Sequence, residues 1–223
     1  MISWFSSLCL LLDARPRSAA MNMAVDQALL ETVATPVLRV YQWDEPSLTF
    51  GYSHDWAALR PGLPPWPAMR RWTGGGLVWH DEDTTYSLIV PAAHPWSQTR
   101  PLESYRLIHQ SLAGQLPHGT LAGEEERLAG ARCFDSPALF DILHEGNKIA
   151  GAGQRRNCQG LLHQGSIRLA LGSPFWQQWA AVIADEVRVV HMPEEHVRVR
   201  AEALVIKRYG TVEWLERRGG GGA

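Results

Sequence analysis

The sequence predicts an α+β fold, a mixed and largely antiparallel sheet packed with helices, and three observations carry that prediction. Strand-like segments outnumber helical ones. The two convincing helices interrupt hairpins instead of alternating strictly with strands, which disfavours a doubly wound parallel sheet. No internal repeat and no linker long enough to split the chain occurs, so residues 1–218 are expected to form one domain, with residues 219–223 a disordered Gly-rich tail.

About Trp4 to Leu12 is an apolar run read as a buried first strand; without a positive charge before it or an A-x-A site after it, it does not suit a signal peptide. Ser18 is placed to cap a helix running to about Thr32, with Met21, Val25, Ala28 and Leu29 on one face and Asn22, Asp26 and Glu31 off it. V37-L-R-V-Y-Q-W43 and S47-L-T-F-G51 read as strands, Tyr52 to Leu59 as a brief helical turn, and the proline-rich stretch from Pro61 to Pro67 as loop. A68-M-R-R-W72, L77-V-W-H80 and T84-T-Y-S-L-I-V90 are three further strand segments. Pro101 suits the first turn of a second helix reaching about Leu116, and G123-E-E-E-R-L-A-G130 reads as a solvated loop. Ala138–Leu143, Lys148–Gly153 and Gly160–Leu171 are strand candidates, and roughly Pro193 to Arg218 is helical in tendency.

Composition narrows the function classes. The 223 residues are 45% hydrophobic and 20% charged, with 21 basic and 23 acidic side chains and a net charge of -2. That balance gives no basic excess for nucleic acid or an anionic membrane, although the pairs Arg70-Arg71 and Arg155-Arg156 suit an acidic protein partner. Three widely spaced cysteines, Cys9, Cys133 and Cys158, form neither a disulfide framework nor a metal site. Free thiols in a reducing, cytoplasmic setting are the simpler reading, and no window is long and apolar enough for a membrane span.

Two segments carry chemistry. R70-R-W-T-G-G-G-L-V-W-H-D81 sets three glycines between two apolar strands, leaving backbone N–H groups uncovered near Arg70 and Arg71, with His80 and Asp81 at the end of the return strand. It is neither a P-loop nor a dinucleotide fingerprint, and a glycine hairpin with solvated arginines is an equal reading. C133-F-D-S-P-A-L-F-D-I-L-H-E-G-N-K148 puts a cysteine 15 residues before a lysine that opens an I-A-G-A-G run. A cationic amine near a thiol favours the thiolate, the form that attacks acyl groups, and small residues let a ligand chain approach the strand. A buried cysteine and an exposed lysine would look the same. H163-Q-G-S166 adds a histidine that is either a base or a structural group, and Cys158 is a rival nucleophile in what looks like an exposed turn. Trp66, Trp72 and Trp79 flank the glycine segment and are expected to fill the core instead of lining a tunnel.

Together these pieces resemble the biotin/lipoate protein ligase superfamily, and within it the cysteine-dependent octanoyltransferases, relatives of lipoate-protein ligase A. The resemblance rests on S18-A-A-M-N-M-A-V-D-Q-A-L-L30, R70-R-W-T-G-G-G-L-V-W-H-D81, T84-T-Y-S-L-I-V90, C133-F, N147-K-I-A-G-A-G-Q154 and L161-L-H-Q-G-S166, in that order, over about residues 1 to 210. It implies a biotin/lipoate-ligase-like catalytic domain with a ligand tunnel at the glycine turn. The position matching Cys133 would carry the acyl group, and that matching Lys148 would favour the thiolate and contact the acyl carbonyl. Arg71, Gly74, Gly75, Gly76, Leu77 and His80 would border the acyl chain, with Gly151, His163, Gly165 and Ser166 opposite. The implied reaction moves an octanoyl or lipoyl-type group from acyl carrier protein to a lysine of a lipoyl domain, of a 2-oxoacid dehydrogenase or a glycine-cleavage protein. It needs no cofactor or metal.

Two alternatives stay open. One is an ATP- and Mg-dependent lipoate-protein ligase, a class that usually shows R-N-D where this chain has R132-C-F134 and often carries an added C-terminal domain, for which the end at Ala223 leaves little room. The other is a non-catalytic acyl- or lipoyl-binding protein. The octanoyltransferase branch with its nucleophile before the H-G turn fits less well, because Cys158 lies five residues before His163 where that branch has three. G-A-G-Q also replaces the usual G-S-A-Q.

Overall fold

A computed structural model of the chain describes residues 3–125 and 137–217. Cys133, part of the acidic run 123–130 and the tail 219–223 lie outside the described residues. Eight strands form one sheet: β1 (Phe5–Arg17), β2 (Val37–Trp43), β6 (Thr84–Pro91), β7 (Gly119–Leu121), β8 (Ile142–His144), β9 (Asn147–Asn157), β10 (Gly160–Ile167) and β11 (Ala184–Val190). Their spatial order is β11-β1-β2-β6-β10-β9-β8-β7. Within this sheet β1 pairs in parallel with β11 and with β2, and the other described ladders are antiparallel. A small second sheet holds β3 (Ser47–Phe50) between β4 (Ala68–Arg70) and β5 (Val78–His80). The expected mixed, largely antiparallel α+β architecture is what forms.

Helices cover both faces of the large sheet, which explains the unbroken apolar run of β1. Strand residues alternate between faces. Leu8, Leu10 and Leu12 therefore enter the core shared with α3 (Pro101–Ala113) and α4 (Ser173–Ile183), where Trp176 and Trp179 are the largest fillers. Cys9 and Leu11 enter the opposite core, made with α1 (Ala19–Thr32) and α5 (Glu195–Leu204). A one-turn helix α2 (Trp56–Leu59), a 3-10 turn Pro95–Gln98, a π-helical turn Val205–Tyr209 and α6 (Val212–Leu215) are the other helical elements among the described residues. Among the described residues no helix is long and apolar enough to cross a membrane.

Helix α1 starts where its cap predicts, with the Met21 N–H donating to Ser18 Oγ at 3.3 Å. Its polar side is not solvated, however. Asn22 and Asp26 are each 0% exposed. They surround Arg39 of β2, also fully buried, which donates to Asp26 Oδ1 at 2.7 Å, to Asn22 Oδ1 at 2.8 Å and to Asp13 Oδ2 at 2.9 Å. Amphipathic spacing identified the apolar face of α1 but not the buried cation waiting for its polar face.

Two neutral histidines lie in the α3–α4 core. His109 Nδ1–H donates to the Phe140 carbonyl at 2.7 Å, while Nε2 is buried with no partner among the described residues. Burial lowers its pKa from 6.5 to about 4. His163 sits between Tyr86 Oη and Gln154 Nε2, both at 3.1 Å, and burial, then His109 and Arg156, also hold it well below its ordinary value. The unfolded chain accepts protons near pH 6.5 that the folded chain refuses, so stability is complete above that pH and falls as pH drops toward 4. His109 alone should remove about 3 kcal/mol across that window. Urea unfolding at pH 7.5 and 5 should show the loss, and His109→Gln should flatten the slope.

Candidate active site

The glycine segment is not a hairpin. Both β4 and β5 flank β3, so residues 71–77 cross over the end of β3 and reach the large sheet. Three bare positions permit the crossing. A Cβ on Gly51 would stand 2.0 Å from the Gly75 carbonyl, and one on Gly153 would stand 2.3 Å from the Gly74 carbonyl; Gly75 itself has φ +94°. The Gly74 N–H donates to the Gln154 carbonyl at 3.4 Å, joining the turn to β9.

The paired arginines point opposite ways. Arg71 turns inward and pins the loop, with Nη2 donating to the carbonyls of Gly74 (3.1 Å) and Gly76 (2.9 Å) and Nη1 to Thr49 Oγ1 (2.8 Å). Burial lowers its pKa to about 10. Arg70 does not supply charge at the mouth: fully buried, it donates to the carbonyls of Tyr52, His54, Trp214 and Leu215 and so ties α6 to the small sheet.

An ionised carboxylate can only accept, so Asp83 fixes the direction of the chain of bonds. His80 Nδ1–H donates to Asp83 Oδ2 at 2.8 Å. The neutral ring then leaves Nε2 to accept from the Thr49 hydroxyl at 2.7 Å, and the Thr49 oxygen accepts from Arg71. Burial depresses the His80 pKa, which agrees with a neutral ring stacked on Trp43 at 3.9 Å. Burial alone would raise Asp83, but bonds from His80, Ser166 and Thr85 hold it below its usual value. Ser166 Oγ–H reaches Asp83 Oδ2 at 2.6 Å, linking the turn's strand β5 to β10.

Lys148 comes from β9. The β8–β9 register slips, so that Ile142 faces Ala150 but Leu143 faces Lys148. This bulge turns Lys148 off the core face that Ala150 occupies. Its side chain lies over Gly151, where a Cβ would be 2.9 Å from Cε and 3.1 Å from Nζ. Nζ pairs with Asp141 Oδ2 at 2.8 Å. Asp141 is 1% exposed; it also accepts from the Ala138 N–H (2.7 Å) and the Tyr105 hydroxyl (2.5 Å).

These parts enclose a cleft of about 340 Å³. Arg71, Gly75, Gly76, Leu77 and His80 form one side, and Lys148, Gly151, Gly165 and Ser166 the other. Met23, Tyr41 and Gln164, all buried, lie deeper. Trp79, expected in the core, borders the cleft and is 37% exposed. Two sequence candidates lie elsewhere. Gly74 does not line the cleft, its amide and carbonyl being spent on Gln154 and Arg71. His163 faces the opposite core, because Gln164 and Ser166 take the cleft phase of β10. The exposed Cys158 caps the β9–β10 hairpin, roughly 30 Å of strand from Lys148. Asp141, Tyr105, Thr49 and Asp83 are site residues that motif spacing did not single out; a lone acid in the apolar F-D-I-L run was the only signal for Asp141. Among the described residues no cluster of His, Cys, Asp or Glu could hold a metal.

Residues 18–184 match the family described as Lipoyl protein ligase A/B catalytic domain. The chain belongs to that family. It is similar to the octanoyltransferase LipM of Kyrpidia tusciae, at 37% identity over 182 residues, covering 72% of this chain and 66% of that one. Against LipM of Moorella thermoacetica it is 33% identical over 232 residues, covering 93% and 79%. The chain spans about two thirds of the length of the first of these lipoyl-ligase-family relatives. In fold it is similar to lipoate-protein ligase A bound with ATP, with a TM-score of 0.70 at 19% identity over 94% of this chain and 98% of that one. It is likewise similar to a bi-partite lipoate protein ligase of Thermoplasma acidophilum, at a TM-score of 0.57 and 19% identity, covering 94% and 96%.

Proposed function

We propose that the protein is an acyltransferase that moves an octanoyl or lipoyl-type group from an acyl carrier protein thioester, through an acyl-Cys133 intermediate, to a lysine of a lipoyl domain. The observation that carries this reading is the cleft itself. It is of a size for one acyl chain, near the low end of small-ligand pockets, with a lysine on one wall and bare glycine backbone on the other. The LipM relatives point to the octanoyl group. The acceptor would be the lipoyl domain of a 2-oxoacid dehydrogenase or a glycine-cleavage protein.

In this mechanism the Cys133 thiolate attacks the donor thioester, and the ammonium of Lys148 favours that thiolate. Gly75 and Gly76 line the cleft, and in this mechanism their amides stabilise the tetrahedral oxyanion. The acceptor amine then attacks the acyl-enzyme and releases Cys133. Exchange of one thioester for another is nearly isoenergetic, so neither nucleotide nor metal is required. The thiol chemistry suits a reducing, cytoplasmic setting.

Intact-mass analysis after mixing with octanoyl-carrier protein, without nucleotide, should give one octanoyl adduct mapping to Cys133. An adduct that requires octanoate and ATP would instead establish a ligase. Gly153→Ala tests the wall: its Cβ must push the glycine turn away from β9. Transfer should fall by about a hundred-fold, the usual result of an ångström-scale misplacement, for a stability cost of about 1–3 kcal/mol. Comparing transfer rates with urea midpoints checks the prediction.

A further inference from the structure

A lysine that borders an acyl-thioester site is a hazard to its own enzyme. If its nitrogen carries a lone pair, it can attack the thioester carbonyl: a C–N bond forms, the C–S bond breaks, and the thiolate leaves with the electron pair and takes up the proton that nitrogen loses. The product is an amide, which no thiol reverses. This is the same bond the proposed reaction makes on the acceptor lysine, and an amine already held in the cleft competes with an advantage in effective concentration. Lys148 is 29% exposed and borders the cleft, so it is placed to undergo this reaction.

We propose that Asp141 is a positioning residue whose task is to prevent acylation of Lys148. This rests on the acyl-transfer reading above. The Lys148–Asp141 ion pair exists only while the nitrogen is protonated, and a protonated nitrogen has no lone pair. The carboxylate is built not to yield. It is 1% exposed, Oδ2 is fixed by the Ala138 N–H at 2.7 Å, and Oδ1 by the Tyr105 hydroxyl at 2.5 Å. Tyr105 is fixed in turn, because the Ala152 N–H donates to its oxygen at 3.0 Å. Among the described residues, Lys148 is the cation paired with Asp141. Gly151 contributes the room: the lysine arm lies along bare strand toward the carboxylate. The pair therefore holds the amine that borders the cleft as half of an ion pair, and the amine to be acylated comes from the acceptor.

The test compares the wild-type protein with Asp141→Asn after incubation with octanoyl-carrier protein and no acceptor. Hydroxylamine then cleaves thioesters and spares amides. Wild type should lose its whole octanoyl adduct. Asp141→Asn should accumulate a hydroxylamine-resistant octanoyl group on Lys148 about ten-fold faster or more, the factor that loss of a hydrogen bond to a charged group carries. Transfer by that variant should decline with each turnover. Asp141→Glu should restore the wild-type pattern, and Lys148→Arg in the Asp141→Asn background should abolish the resistant adduct. Asp141→Ser gives the same comparison should the first variant fail to fold. A variant that forms the thioester adduct, transfers poorly and gains no resistant adduct would overturn the proposal and leave Asp141 a structural role. Absence of any adduct on the wild-type protein would instead overturn the acyl-enzyme reading, and the proposal with it.

Discussion

Cys133→Ala is expected to lower nucleotide-independent octanoyl transfer by a thousand-fold or more, roughly the range seen when a covalent nucleophile is removed. Neither cysteine among the described residues lines the cleft. Cys9 is buried in the α1–α5 core, where burial raises its pKa, and Cys158 is at the far end of the β9–β10 hairpin. A serine in place of Cys133 would not help either, since a hydroxyl lacks the thiol's acidity, and the histidine that lines the cleft, His80, is committed to Thr49 and Asp83. Lys148→Met should be less damaging, about a hundred-fold to ten-thousand-fold, because the oxyanion site remains. Octanoylation of a lipoyl domain followed by mass, with circular dichroism as the control for folding, measures both. Retention of full activity by Cys133→Ala would remove the acyl-enzyme from the mechanism.

Most of the framework was legible because local chemistry and tertiary contacts agree there. The apolar run of β1, the Ser18 cap and the β-branched strand Val37–Trp43 each need no distant information. By contrast, α4 and β11 escaped notice. S173-P-F-W-Q-Q-W-A-A-V-I mixes helix formers with aromatic and β-branched residues, and A184-D-E-V-R-V-V is an edge strand whose partner, β1, lies at the other end of the sequence. Strands paired over such a span depend on the sheet, not on propensity.

The site was legible in its residue types and less so in its directions. Gly75, Gly76, Lys148, Gly151 and Ser166 line one cleft. The phase of β10 was not available: a period of two says that His163 and Gln164 face opposite ways but not which one faces the ligand. Arg70 and Arg71 pose the same problem at the end of β4. The bulge that brings Lys148 out of the core leaves no signature beyond the small residues after it. Burial of Asn22 and Asp26 depends on Arg39, and periodicity within α1 carries no information about β2.

That last dependence gives the largest expected stability effect. Arg39→Met should cost about 3–5 kcal/mol, because it leaves Asp26 a buried carboxylate without its cation and Asp13 with Arg17 alone. The guanidinium uses its whole fork here: Nε and Nη2 on Asp13, Nη1 on Asp26 and the Asn22 carbonyl, with its plane over the Tyr41 ring at 4.0 Å. Arg39→Lys should recover little, since one ammonium cannot span those acceptors. The damage should also reach the cleft. Asp26 Oδ2 accepts from Gln164 Nε2 at 2.7 Å, and Gln164 Oε1 accepts from Thr73 at the start of the glycine turn at 2.7 Å. Loss of Arg39 therefore loosens the glycine-turn wall of the cleft, so transfer should fall even in molecules that remain folded. Urea unfolding measures the first effect and single-turnover acylation below the unfolding midpoint the second. A variant destabilised by less than about 1 kcal/mol would mean that solvent or a neighbour relieves the two carboxylates. A variant that is destabilised but acylates at the wild-type rate would mean that the network holds the fold together without orienting the site.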